Sequence, residues 1–273
     1  VTGNNNDTNY NTDRFMSFSW RGAGSASANN DGSITSNVDV NTTSKCSTIQ
    51  WTGSGANGTI AHGLGKIPDA IIFKDIEQDG YNWEMYMHCG NRSGQTLIGH
   101  GTLNETDTQM PFNVATAAND DNTYWNDTTP SSTVFTVGND HKLNASTEKY
   151  VAYCWTSIPG FSAFGGYYEA TDNEKGPFIH TGFKPKMVII KMTASGDNWG
   201  WVDSRRNTVN PRNTMFTFGS SSGAESTNSY YNVDFYATGF QVSSNNAQVN
   251  HTSYDPYIYM AWADVPGKFM QGG

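Results

Sequence analysis

Acidic residues at alternate positions in front of a glycine are the first pattern in the sequence that could bind a ligand. Asp75, Glu77 and Asp79 precede Gly80, with the spacing of the first half of a calcium-binding loop. Such a loop needs a bidentate Glu at its twelfth position, where Tyr86 stands instead. Asp and Gly are also common turn residues after a strand. The run therefore predicts a turn, with calcium as the weak alternative, and we expect the chain to need no cofactor.

The sequence does not single out a catalytic set. Serine, histidine and aspartate are uninformative as nucleophile signatures in so serine-rich a chain, and its six histidines never take the close spacing of a zinc site. Carboxylate pairs for glycoside cleavage could form in space, but nothing in the sequence selects a pair. The nominal acids are Glu84, Glu105, Asp107 and Asp203. We therefore expect that this protein is not an enzyme.

The cysteines and one histidine have positions that favour structural roles. Cys46, Cys89 and Cys154 are too few and too irregularly spaced for a disulfide framework. This predicts free structural thiols and leaves a Cys89–Cys154 bridge as the alternative. His62 precedes a Gly-Leu-Gly turn without a second potential ligand nearby, so we expect its ring to hydrogen-bond the backbone there.

Aromatic residues are the remaining candidates for ligand contact, because exposed Trp and Tyr rings can stack on sugar rings. Our candidates for glycan or receptor binding lie beside predicted turns: Trp83, Tyr124, Trp125, Trp199, Tyr230 and Tyr231. Trp83 and Trp199 recur at equivalent places in the chain, which also favours a role in a core. Adjacent residues of a strand face opposite sides, so one residue of each Tyr-containing pair should be exposed.

Composition predicts a folded all-β chain with an acidic surface. Aromatic residues make up 13% of the 273 residues, so the chain can bury a core although only 36% of it is hydrophobic. Abundant Asn, Ser and Gly are typical of turns between strands. The net charge of −9 argues against nucleic acid and anionic membranes as partners. No apolar run approaches the roughly 18 residues of a membrane helix, so we expect no membrane insertion.

An internal duplication organises the elements that would position these residues. The run 68–74 aligns with 185–191, because in both a Pro opens a short apolar run that a Lys closes. Such a run predicts a strand that is buried on both faces. Asn82-Trp83 and Asn198-Trp199 follow at nearly equal distances, and each pair begins the second strand of a predicted hairpin.

The two copies differ by one loop. Each copy closes on an aromatic strand, which ends at Trp155 in the first and at Trp262 in the second. The offset between the copies is 117 residues at Pro68 and Pro185 but 107 at the closing Trp. The second copy therefore has a shorter loop, in the stretch that corresponds to 95–121.

These landmarks predict an all-β fold with two tandem β-sandwich or jelly-roll-like repeats. We place the repeats at residues 48–158 and 165–266, with a Gly/Ser/Asn-rich linker at 21–47. The alternating segment 15–20 ends in Trp and has the pattern of a closing strand. Residues 1–20 are therefore expected to be a strand that is left from, or that completes, another domain.

Several of these runs together resemble a known family. Trp20-Arg21-Gly22, the stretches 30–36 and 62–65, and Thr181–Pro185 are similar to an uncharacterised C-terminal repeat module of tail-fibre proteins of marine tailed bacteriophages. The likeness covers about residues 15–266. It implies a structural or adhesive protein of the virion surface, and it brings no catalytic set and no binding residues with it.

The resemblance and the composition together give two functional hypotheses. The first is a subunit of a phage virion fibre or spike that acts as a spacer and binds a host-surface receptor, either a glycan or a protein. Its partners would be copies of itself, in a trimer or a filament, at the virion surface. The alternative is a carbohydrate-binding module or polysaccharide depolymerase of a cell-surface protein.

Overall fold

The computed structural model describes residues 19–20, 22–88, 108–112, 114–169, 175–219, 225–244, 246–251 and 255–263. This part of the chain is all-β, as expected: its regular structure consists almost entirely of antiparallel sheets, and helix is limited to single turns. The segment predicted at 1–20 lies outside the described residues except for its last two.

The first repeat is built on one large sheet. Its strands are β1 (Ser27–Asn29), β2 (Ser36–Asn41), β3 (Cys46–Thr52), β4 (Gly58–Ala61), β5 (Ala70–Asp75), β6 (Glu84–Met87), β7 (Thr108–Pro111), β8 (Asn119–Asp120), β9 (Val134–Val137) and β10 (Lys149–Trp155). Eight of them form a sheet in the order β1-β2-β3-β10-β5-β6-β7-β8, while β4 pairs with β9. Two helical turns, α1 (Asn122–Trp125) and α2 (His141–Asn144), flank β9 in the sequence.

The second repeat has the same plan. Its strands are β11 (Ser162–Tyr168), β12 (Phe178–His180), β13 (Pro185–Met192), β14 (Trp199–Asp203), β15 (Thr214–Phe218), β16 (Glu225–Thr227), β17 (Val233–Tyr236), β18 (Gly239–Val242) and β19 (Pro256–Ala263). The order β11-β19-β13-β14-β15 repeats the order β3-β10-β5-β6-β7, and the closing aromatic strand is the second strand in both orders. A smaller sheet of β12, β18 and β17 stands where β4 and β9 stand in the first repeat.

A shared turn shows the duplication at the level of single hydrogen bonds. In the first repeat, the Tyr150 hydroxyl donates to His141 O (2.6 Å) and accepts from Ala145 N–H (2.9 Å). In the second, the Tyr257 hydroxyl donates to Ala247 O (2.9 Å) and accepts from His251 N–H (3.0 Å). Each closing strand is thus tied by its tyrosine to the turn that precedes it.

A buried asparagine completes this turn in both copies. The Asn144 amide donates to Gly138 O (3.1 Å), and the Asn250 amide donates to Ser244 O (2.7 Å), six residues upstream in each case. Both side chains are inaccessible to solvent. Their hydrogen bonds satisfy carbonyl groups that would otherwise be buried without partners.

The length difference between the copies falls between two paired strands. The connection from β6 to β7 runs from 88 to 107, whereas the connection from β14 to β15 runs from 204 to 213 and is ten residues shorter. This difference equals the drop in offset from 117 to 107, and the connection 88–107 overlaps the predicted stretch 95–121.

Each repeat has its own core between its large and small sheets. In the first, Ile49, Trp51 and Phe73 from the large sheet pack with residues of β4, β9 and the helical turns. In the second, Val188 and Ile190 pack with Phe240 and other residues of the small sheet. These two cores are the sandwiches that the sequence predicts.

A third core lies between the repeats, and we call it the inter-repeat core. Its buried members from the first repeat are Cys46, Ala70, Ile72, Met85, Met87 and Trp155, and those from the second are Phe161, Phe164, Met187, Ile189, Trp199, Ile258, Met260 and Trp262. The two large sheets therefore pack against each other through their outer faces. The molecule has four layers, with small sheets outside and large sheets inside.

Packing on both faces explains the continuous apolar runs. Along β5, Ile71 and Phe73 point into the core of the first repeat, while Ala70 and Ile72 point into the inter-repeat core. The prediction of a strand buried on both faces is confirmed. Hydrogen bonds also cross between the repeats, including Trp199 Nε1–H to Pro111 O (3.2 Å).

The expected linker at 21–47 was wrong, because most of this stretch is part of the first repeat. Strand β2 pairs with β3 over its whole length, and Val38 lies opposite Ile49 and is 5% exposed. Strand β1 in turn pairs with β2. The only apolar residues of β2 are Val38 and Val40, which alternate with polar residues. Two apolar residues in a stretch rich in Asn, Ser and Thr are too few for the sequence to indicate a strand.

The cysteine and histidine predictions hold for the described residues. Cys46 and Cys154 are free and buried, which removes the alternative of a Cys89–Cys154 bridge. Cys89 itself lies outside the described residues. The ring of His62 is buried and bonds Ser131 O (3.2 Å) through Nε2, while its Nδ1 accepts from Leu64 N–H (3.2 Å).

Candidate functional site

Three of the six candidate aromatic residues lie in cores, and a fourth lies at the margin of one. Tyr124 and Trp125 are each 2% exposed, and Trp199 is 1% exposed. Trp83 is half-buried at the margin of the inter-repeat core, where it stacks on Tyr153 with 6.2 Å between ring centroids. The rings of Tyr124, Trp125 and Trp199 are therefore too deeply buried to stack on a sugar.

We expected one residue of each Tyr-containing pair to be exposed, because adjacent strand residues face opposite sides. This prediction was wrong for Tyr124 and Trp125. These residues form the helical turn α1, which Asp121 caps by accepting from Thr123 N–H (3.0 Å). Adjacent residues of a helical turn diverge by much less than in a strand, so both rings can reach one core. The Trp125 ring packs on Phe73 at 4.8 Å between centroids.

Tyr230 is the one candidate that is well exposed, at 56%. It lies in a 3-10 turn over Ser229–Tyr231, which Asn228 caps by accepting from Tyr230 N–H (3.0 Å). Its neighbour Tyr231 is half-buried against the core of the second repeat. Tyr230 therefore remains a candidate contact residue.

Asp75 and Glu77, two of the three calcium candidates, are engaged by other groups of the protein. Asp75 is 1% exposed, and its Oδ1 accepts from the backbone N–H of Glu77 (2.9 Å) and of Gln78 (3.0 Å), as in an Asp-initiated turn. The Glu77 carboxylate pairs with Lys149 Nζ at 2.6 Å. This hydrogen-bonded ion pair lowers the pKa of Glu77. With Asp79, these residues form the turn that the sequence predicts.

Both described nominal acids are buried, and each lies beside a cation. Glu84 is 1% exposed, and burial raises the pKa of its carboxyl group although Lys142 Nζ lies 3.6 Å away. Asp203 accepts from the backbone N–H of Arg205 and Arg206 and pairs with the Arg206 guanidinium. Glu105 and Asp107 lie outside the described residues.

One group of potential metal ligands converges within the described residues. Ligand atoms of Glu169, His251 and Asp255 all lie within 4.8 Å of one another. His251 Nδ1 is 2.9 Å from Asp255 Oδ2, and Glu169 N–H donates to Asp255 O at 3.4 Å. The group joins the end of β11 to the start of β19.

An exposed aromatic pair lies on the outer small sheet of the second repeat. Phe178 and Tyr236 are 46% and 43% exposed, and their ring centroids are 6.0 Å apart. Gly239 lies between them, and a Cβ atom there would meet the Phe178 ring at 2.9 Å and Ile179 O at 2.1 Å. Glycine is therefore required for this close approach. The sequence analysis missed this pair because neither ring has an aromatic counterpart in the first repeat.

A groove of about 480 Å³ opens on the first repeat. It is lined by Ile34, Thr35, Asn37, Gln50, Trp51, Thr52, Ile76, Lys149 and Tyr150. The hairpin of β1 and β2 supplies one wall, and the ends of β3 and β10 supply the floor. The sequence analysis missed this groove as well, because the hairpin residues were expected to form a linker.

Within the described residues, no helix has the length and apolarity that a membrane crossing requires.

Comparison with known families gives one result. A family model described as a domain of unknown function (DUF7483) matches residues 1–266. The chain belongs to this family. The match covers both repeats and the segment before them, so the family unit contains the whole four-layered body. No curated protein and no solved structure matches the chain.

Proposed function

We propose that the chain is a structural and adhesive subunit of a phage virion fibre or spike. The observation that carries this proposal is the inter-repeat core, which joins two sandwiches into one body. Side chains of both large sheets are buried there, including Ile72 and Ile189 at equivalent positions. Such a body cannot bend at the connection between its repeats without exposing apolar surface to water. This rigidity suits a spacer that holds a binding surface at a fixed place.

Trp20 supports the same role, because it links the start of the described chain to both repeats. Its ring lies 5.7 Å from the ring of Trp155 in the first repeat and 5.4 Å from that of Trp262 in the second. Trp155 is the last residue of β10, and Trp262 is the last but one of β19. The chain that enters the body is thus fixed at the centre of the molecule.

The proposed subunit acts without catalysis at the virion surface, and its partners are copies of itself and a host glycan or protein. The net charge of −9 disfavours nucleic acid as a partner. Assembly is expected as a closed trimer or a head-to-tail filament. Native mass spectrometry of the purified chain distinguishes these two from a stable monomer, which would overturn the assembled form.

Immunogold electron microscopy tests the proposal. Antibodies raised against the purified chain are applied to tailed phage particles and to the surfaces of the cells that produce them. The proposal predicts gold on fibres or spikes of the particles. Gold on cell surfaces, together with unlabelled particles, would overturn it.

The groove on the first repeat favours a second candidate function, a carbohydrate-binding module of a cell-surface protein. Amide and hydroxyl side chains line it, and these are suited to sugar hydroxyl groups. A depolymerase is less well supported, because Glu84 and Asp203 are engaged within their own repeats. The cell-surface outcome of the same microscopy would support this second function.

A further inference from the structure

The groove on the first repeat is built by polar side chains on one side of the large sheet. Asn37 on β2 lies directly opposite Gln50 on β3, and Thr52 on β3 lies opposite Lys149 on β10. Side chains on directly opposite residues project to the same side of a sheet. All four are exposed, so the groove presents two neighbouring rows of polar groups to solvent.

This side of the sheet also carries the inter-repeat core. Cys46 belongs to that core and stands on β3 an even number of residues before Gln50 and Thr52, so all three face the same way. The second repeat covers the part of the sheet near Cys46. The groove is the uncovered continuation of the same face.

The chemistry of the lining favours a neutral ligand with many hydroxyl groups. Side-chain amides donate and accept hydrogen bonds at once, which matches a hydroxyl group that also does both. The one cation in the lining, Lys149, is already paired with Glu77 at 2.6 Å. Ile76, which is 50% exposed, adds an apolar surface against which the C–H face of a sugar can pack.

The size of the groove is also suitable. Its volume of about 480 Å³ lies within the range of about 300–1,000 Å³ that is usual for small-molecule sites.

The second repeat shows what the sheet looks like without this site. Cys46 pairs with Trp155 and Ser162 pairs with Trp262, so β3 and β11 can be aligned position by position. The positions of Gln50, Thr52 and Lys149 are then taken by Gly166, Tyr168 and Pro256. Within the described residues, no strand stands beside β11 where β2 stands beside β3. The same sheet thus folds without these polar side chains and without the hairpin.

We propose that this groove binds a neutral saccharide, with Asn37 and Gln50 as its main hydrogen-bonding residues. This inference rests on the adhesive part of the proposed function and names the ligand class and the site. The hairpin of β1 and β2 is then a binding element as well as an edge of the sheet.

Saturation-transfer NMR on the purified whole chain tests the groove directly. The probes are free glucose, galactose, mannose and N-acetylglucosamine at millimolar concentrations, where weak sugar binding is detectable. At least one probe is expected to bind the unmodified chain. The variants Asn37→Ala and Gln50→Ala are each expected to weaken that binding about 5- to 10-fold, the effect of one lost hydrogen bond.

A matched control is Gln241→Ala, which removes a strand glutamine on the small sheet of the second repeat. Gln241 donates to Gly176 O at 3.2 Å, away from the groove. Its loss is expected to leave saccharide binding unchanged. Circular dichroism of all three variants verifies that each remains folded, which separates loss of the site from loss of the structure.

Three results would overturn the inference. They are the absence of transfer to all four sugars, unchanged transfer in Asn37→Ala and Gln50→Ala, and tighter binding of galacturonate than of galactose. Failure of the groove is distinguishable from failure of the proposed function. Gold-labelled fibres without sugar binding would overturn the site alone, whereas sugar binding with unlabelled particles would overturn the fibre assignment alone.

Discussion

His62 shows how a single buried side chain can make the fold sensitive to pH. Its Nδ1 accepts from Leu64 N–H, so Nδ1 carries no proton, and the proton of the neutral ring is on Nε2, which donates to Ser131 O. A second proton would break the bond to Leu64 and would place a charge in the interior. Burial accordingly lowers the pKa of His62 below its ordinary value of 6.5.

We expect His62 to destabilise the fold as the medium becomes acidic. The unfolded chain binds a proton near pH 6.5 and the folded chain only at lower pH. Stability from His62 is therefore complete above the unfolded pKa and is lost as pH falls from there towards the folded pKa. Urea unfolding at a series of pH values measures this effect, with His62→Gln as the reference that lacks the titrating ring. Equal pH dependence of the two proteins would contradict the account.

At the level of residues, sequence reasoning succeeded where a side chain makes local bonds. The Asp75 carboxylate accepts from the backbone of the turn that follows it, and His62 Nδ1 accepts from Leu64, two residues further along. Sequence reasoning did not predict correctly which aromatic residues are exposed. Tyr124 and Trp125 are both buried because α1 is a helical turn, and nothing within these two residues distinguishes such a turn from a strand.

At the level of elements, the turn before each closing strand is the most closely duplicated part of the chain. Tyr150 and Tyr257 hold this turn with one donated and one accepted hydrogen bond each. Their rings also stack on equivalent partners, Trp51 at 5.4 Å and Tyr167 at 5.0 Å between centroids. The hydroxyl group and the ring of each tyrosine therefore have separate structural roles.

We expect Tyr150→Phe and Tyr257→Phe to lower the free energy of unfolding by about 1–3 kcal/mol each. The phenylalanine ring keeps the core filled, but a backbone N–H and a carbonyl oxygen lose their partner. Equilibrium urea unfolding measures both variants. Tyr230→Phe is the matched control, because its ring is 56% exposed and its change is expected to stay within about 0.5 kcal/mol. A loss no larger than that of the control at either site would contradict the assigned role.

Sequence reasoning found the elements that have a partner copy and missed those that have none. The Pro-led strands, the Trp hairpins and the closing strands were predicted because each occurs twice. The hairpin of β1 and β2 occurs once, and its inward apolar side chains are few, so Val38 and Val40 were not recognised as strand residues. The groove that depends on this hairpin was hidden for the same reason.

At the level of the whole molecule, the sequence predicts two sandwiches but does not predict that they pack against each other. Residues of β5 and β13 were expected to be buried on both faces, yet the sequence does not say which surface covers the second face. The inter-repeat core answers this, because Ile72 and Ile189 face it from opposite repeats. Contacts between residues far apart in the sequence leave no local pattern, whereas strand periodicity does.

Differential scanning calorimetry of the whole chain tests most directly that the two repeats form one body. Because both large sheets bury their outer faces in the inter-repeat core, neither repeat can unfold without exposing the apolar surface of the other. We predict one transition, with a calorimetric enthalpy equal to the van't Hoff enthalpy. Two separate transitions, or a calorimetric enthalpy about twice the van't Hoff value, would show that the repeats unfold independently and would contradict the account.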